Sequence, residues 1–171
     1  MDRTTLQNID RLEAVLHQSL ERQQQLLAAL ERKRLALRGG KDREMLDLSR
    51  LENAVVQTLS DLEKRRLQLV ADLTRAVAPT ASEPMKMRDL AECLPEPYRG
   101  RLLVTRTKLV EVITAVAEQT SVVRRASESL MQHVNGLIRT IGVVSHGGAA
   151  YGQTGRLHAK PAPMSTLNLT A

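Results

Sequence analysis

An unbroken seven-residue repeat of apolar side chains constrains the fold of this chain more than any other feature. The repeated positions between residues 102 and 137 are Leu102, Leu109, Val116, Val123, Leu130 and Leu137. Such a repeat is typical of a long helix that buries one stripe against other helices. A second column four residues later is polar in its middle, at Thr120 and Ser127. The repeat therefore predicts a helix that needs cover from other helices and packs loosely halfway along.

Two leucine-rich segments come earlier in the chain and predict two more long helices. The first covers residues 4–38 and stops at Gly39-Gly40, and Gln23 stands on its apolar stripe where leucine is expected. Residues Thr4 and Gln7 fit a capping box at its start. The second covers residues 42–78, with Asp42 as the predicted N-cap. Because the Gly-Gly turn is short, these two helices are expected to be antiparallel.

A short fourth helix is predicted at residues 86–94, after a proline-bounded linker. Its apolar residues Leu90, Cys93 and Leu94 can close one end of a bundle. The third long helix then covers residues 97–141, since proline is tolerated in a first helical turn. Residues 143–171 are rich in glycine and lack periodicity, which indicates a flexible tail.

These segments predict an all-α fold. Residues 1–142 form an antiparallel bundle of three long helices and one short helix, and residues 143–171 form the flexible C-terminal tail. Aromatic residues are 1% of the chain, and the net charge of +6 is spread over helices that also carry acidic residues. This composition argues against an enclosed ligand pocket and against nucleic-acid binding.

The sequence also predicts no catalytic, metal or cofactor site. The four histidines are scattered, and no phosphate-binding loop or serine elbow is present. The single cysteine, Cys93, is expected to be a small buried residue of a protein in a reducing compartment. No apolar run reaches eighteen residues, so stable membrane insertion is not expected. A cytoplasmic, non-enzymatic protein is the prediction.

Apolar residues crowd one face near the end of the third long helix. They can accept an apolar helix of another protein or simply close the bundle. Tyr151 lies in a glycine-rich segment where no core needs it, and an aromatic residue on a tether is a typical docking element. The residues of the crowded face are Leu130, Val134, Leu137, Ile138 and Ile141.

Three short segments, in this order of helices, resemble the FlgN family of flagellar type III export chaperones. They are Asp-Leu-Ala-Glu-Cys-Leu-Pro-Glu-Pro at 89–97, Leu-Met-Gln-His-Val-Asn-Gly-Leu-Ile at 130–138, and Tyr-Gly-Gln-Thr-Gly at 151–155. The resemblance implies a chaperone that binds hook-filament junction subunits, the hook-associated proteins, and delivers them to the export gate. It implies that the crowded face binds the client and that Tyr151 docks on the cytosolic domain of the gate.

The same residues also allow an interpretation of a different class, a structural role. A coiled-coil scaffold could self-associate through its heptad stripes, forming a homo-oligomer without client or catalysis.

Overall fold

The computed structural model describes residues 2–147, with side-chain exposure for residues 2–141. This part of the chain is helical and contains no strand, which confirms the all-α prediction. The chain divides into two compact units between Ser127 and Glu128, within the last helix. The helices are α1 (Arg3–Arg38), α2 (Asp42–Val77), α3 (Met87–Glu92) and α4 (Tyr98–Gly147).

The turn between α1 and α2 follows from its two glycines. Gly40 has a φ of 62°, in the left-handed region that glycine adopts without strain. The N–H of Lys41 donates to the carbonyl of Ala36 at 3.0 Å, and the N–H of Gly40 donates to that of Leu37 at 3.4 Å. These two bonds form a Schellman motif, which satisfies carbonyls at the end of α1.

Neither predicted N-cap residue occupies the cap position of its helix. Helix α1 begins at Arg3 with Asp2 at the cap position, so Thr4 lies inside the first turn and the predicted capping box does not form. Helix α2 begins with Asp42 itself, after Lys41, and neither cap position makes a side-chain capping bond. The charges of Asp42 and Glu44 instead lie in the first turn, where they favour the positive end of the helix dipole.

The largest core of the first unit is built from all four helices. Its fully buried side chains include Leu12 of α1, Leu73 of α2, Leu90 of α3 and Leu102 of α4, each at most 1% exposed. A second cluster, further along α1, joins Leu30, Val55 and Val123. The predicted stripe of α4 is therefore covered from Leu102 to Val123 by α1 and α2.

Helix α3 corrects one expectation about the cysteine. Leu90 and Leu94 are buried in the core as predicted, but Cys93 is exposed. The short helix ends at Glu92, so Cys93 occupies the C-cap and Ala91 packs into the core instead.

Helix α4 continues past the predicted end at residue 141 and reaches Gly147. Gly142 therefore lies inside the helix rather than ending it. A single glycine in a helix costs only about 1 kcal/mol relative to alanine, which is not enough to stop a long helix.

Leu73 and Leu67 lie on the same helix and differ in burial, 0% against 52% exposed. Leu73→Ala is expected to lower the free energy of unfolding by roughly 2–5 kcal/mol, because it leaves a cavity in the core. Leu67→Ala should change it by less than about 0.5 kcal/mol. Urea unfolding followed by circular dichroism measures both; equal losses would contradict the assigned core.

Gly136→Ala is expected to stabilise the end of α4. Apart from its chain neighbours and the nearby backbone of the same helix, nothing lies within 4 Å of the position that a Cβ would take there, and alanine favours helix by up to about 1 kcal/mol. Amide hydrogen exchange around residue 136 should therefore slow by up to roughly fivefold. Gly40→Ala is the matched control and should destabilise the turn, since its φ is positive. Faster exchange in Gly136→Ala would show that this segment is not helical.

Candidate protein-binding surface

The described end of α4 carries a run of exposed apolar side chains. Exposure rises from 1% at Leu102 to 41% at Leu130 and 66% at Ile141. We call the exposed apolar residues of this segment the terminal face. Its members are Leu130, Met131, Val134, Leu137, Ile138 and Ile141, with exposures between 41% and 66%.

The spacing of these residues puts them on one side of the helix. With 3.6 residues per turn, they fall within a stripe of about 120°. The other side carries Gln132, Asn135 and Arg139. Thr140 there donates its hydroxyl to the carbonyl of Gly136 at 3.0 Å. The segment is thus an amphipathic helix whose apolar side is open to solvent.

The terminal face is also nearly free of charge. Between residues 129 and 141 the only ionisable side chains are His133 and Arg139. A surface of this kind recognises a partner mainly by apolar contact and shape. Met131 adds an unbranched, adaptable side chain of the type that is frequent on protein-binding surfaces.

All five residues of the predicted client-binding face lie together on this exposed side. Each of the five side chains is between 41% and 66% exposed. The sequence prediction omitted Met131, although its position next to Leu130 was a usable signal. Tyr151, the predicted gate-docking residue, lies outside the described residues.

A second apolar surface, which the sequence prediction missed, lies within residues 2–127. It is a groove of about 610 Å³ that takes side chains from all four helices. Two features of the sequence could have indicated this groove: Gln23, a polar residue on the apolar stripe of α1, and Ile113, an apolar residue in the second column of α4. The residues that line the groove and matter below are Leu16, Gln23, Val56, Arg66, Arg106, Leu109, Val110 and Ile113.

The polar side chains of the groove differ in how well they are paired. Arg66 donates two hydrogen bonds to the Glu63 carboxylate, at 2.7 and 2.6 Å. These bonds, together with the positive charge of Arg66, lower the pKa of the Glu63 carboxyl. The same bonds, together with the negative charge of Glu63, raise the pKa of the Arg66 guanidinium. The side-chain oxygen of Gln23 is buried without a hydrogen-bond partner in the described structure. Arg106 has no carboxylate partner among the described residues.

Residues 2–147 hold neither a metal site nor a membrane-spanning helix. No group of three or more His, Cys, Asp and Glu side chains there is placed to hold a metal ion. None of the helices of that part combines the length and the apolar character needed to cross a bilayer.

Comparison with known proteins identifies the family. No curated protein and no solved structure matches the chain. The family model described as FlgN protein matches residues 1–159, which include all four helices and the terminal face. The chain therefore belongs to the FlgN family, a family of chaperones in flagellum biogenesis.

Proposed function

We propose that this protein is a cytoplasmic export chaperone for hook-filament junction subunits. It binds these hook-associated proteins before secretion and delivers them to the flagellar type III export gate. The observation that supports the proposal most is the terminal face, an uncharged apolar helix surface left exposed in a member of a chaperone family.

The terminal face binds an apolar helix at the end of the client. Side chains such as Leu137 are about half exposed, so covering one of them contributes about 1 kcal/mol. Several such contacts suffice for binding that is strong enough to shield the client and weak enough to release it. No catalytic step is part of this function.

The proposal includes the antiparallel order of the three long helices. Its support is the order of contacts in the core clusters. The Ala36 region of α1 shares a cluster with Leu48, Leu30 with Val55, and Leu12 with Leu73. The contact partners on α2 thus move towards its C-terminal end as α1 is followed from its C-terminal to its N-terminal end. Leu102 and Val123 of α4 join the Leu73 and Val55 clusters, respectively.

The proposal also keeps the bundle at residues 1–142 and assigns the part of residues 143–171 that follows the end of α4 at Gly147 to a free tail, with Tyr151 as its docking element. The glycine-rich composition of this segment and its two basic but no acidic side chains support a tether. In this division of labour, Tyr151 contacts the cytosolic domain of the export gate while the terminal face holds the client.

A self-associating scaffold is the second candidate, because an exposed apolar stripe also fits a second copy of the chain. Sedimentation velocity separates the two. A scaffold forms oligomers whose mass rises with concentration and has no client, whereas a chaperone binds the terminal helices of junction subunits.

Leu137→Ala is expected to weaken binding of a purified junction subunit by about tenfold, because it removes a central apolar contact. Thr140→Ala changes the polar side of the same helix turn and should leave the affinity unchanged. Isothermal titration calorimetry measures both. Equal affinities for the two variants would remove the terminal face from the client site.

Tyr151→Ala is expected to keep the helicity and the client affinity of the native protein and to weaken docking on the purified cytosolic domain of the gate. The physical reason is that an anchor on a tether contributes to one contact only. Circular dichroism, calorimetry with the client and surface-immobilised gate domain give the three readings. Loss of client binding would place Tyr151 in the client site and would contradict the separate roles proposed for Tyr151 and the terminal face.

A further inference from the structure

The groove within residues 2–127 has the form of a helical bundle that lacks one helix. Its floor is apolar and buried, with Leu16 of α1 at 2% and Leu109 of α4 at 8% exposure. Its rim is apolar but open, with Val56 of α2 at 53%, Val110 at 49% and Ile113 at 47%. Half-exposed branched residues around a buried floor are what a bundle shows where a helix has been left out.

The dimensions of the groove suit a helix. It follows α2 from Val56 to Arg66, a rise of about 15 Å, and α4 from Arg106 to Ile113, a rise of about 10 Å. These lengths correspond to two or three helical turns. A helix that lies there presents residues i, i+3 or i+4, and i+7 to the floor.

The charged side chains of the groove indicate which charge a bound helix carries. Both oxygens of Glu63 are engaged by Arg66, so that carboxylate is not available to another cation. Arg106 lines the groove without a carboxylate partner in the described structure. A half-buried guanidinium without a counter-charge favours a ligand that brings a carboxylate. The buried oxygen of Gln23 adds a place for a hydrogen-bond donor.

We propose that this groove binds an amphipathic helix of a partner protein, whose apolar side fills the space over Leu16 and Leu109 and whose carboxylate pairs with Arg106. The groove and the terminal face share no residue, so the inference stands independently of the proposed function. It describes a second protein-binding surface on the chain.

Segments of this chain itself fit the groove less well. The apolar helix at 130–141 carries Arg139 and no acidic side chain. Residues 148–171 carry no aspartate or glutamate either. Neither of these two segments therefore supplies a side-chain carboxylate to pair with Arg106.

The test uses two synthetic helical peptides of about 14 residues, roughly four turns. Both have blocked ends and leucines at i, i+4, i+7 and i+11. One carries glutamates beside the leucine stripe, and its twin carries lysines at the same positions. Fluorescence anisotropy with the full chain should show that the glutamate peptide binds at least about fivefold more tightly. Arg106→Glu should reverse this preference.

Val110→Lys should weaken the glutamate peptide by more than about tenfold, since it puts a charge on the apolar rim. Val104→Lys is the matched control: the same substitution on the same helix, at a valine that is 56% exposed and outside the groove. It should leave the affinity unchanged. Circular dichroism checks the fold, and Val56→Lys on α2 replaces Val110→Lys if that variant unfolds.

Three results would overturn the inference. Equal affinity for the two peptides would remove the role of Arg106. Binding that Leu137→Ala weakens and Val110→Lys does not would move the peptide to the terminal face, and would leave the proposed function intact. A dimer in sedimentation velocity that Val110→Lys dissociates would make a second copy the occupant.

Discussion

The burial of one apolar stripe on α4 is the interaction on which the rest of the structure depends. Leu102 and Leu109 are covered by α1, α2 and α3, and Val123 by Leu30 of α1 and Val55 of α2. Without aromatic bulk, the core relies on close contact among leucine, valine and alanine side chains along narrow seams. Cover stops after Ser127, while the same helix and the same apolar repeat continue. Buried and exposed apolar residues are thus consecutive parts of one stripe.

Polar interactions have a secondary part in this arrangement. Most ion pairs join residues three or four apart on an exposed helix surface, where each contributes little. Lys33 and Glu52 are different, because both are largely buried and their side chains join α1 to α2 at 2.6 Å. Arg101 and Glu13 join α4 to α1 at 3.2 Å. These pairs favour one register of the helices, whereas the free energy of folding comes mainly from the apolar seams.

The two candidate surfaces differ in the charge and shape of the partner that would fit them. The terminal face is apolar and almost without charge, so in the proposed function it makes no demand on the charge of the partner helix. The groove combines an apolar floor with Arg106 and the oxygen of Gln23, so it selects by charge as well as by shape. Both surfaces exist because apolar side chains of the long helices outnumber the positions that the chain itself can cover.

The sequence by itself determined the helical class, the positions of the long helices and the family resemblance. Periodic apolar residues, Gly39-Gly40 and the prolines act locally, so their effect can be read without tertiary contacts. It failed at the end of α4 beyond Gly142, at the caps of Thr4 and Asp42, and at the exposure of Cys93. Only the tertiary structure showed that Leu137 is uncovered while Leu102 is buried, because the two positions have the same pattern and differ only in what packs against them.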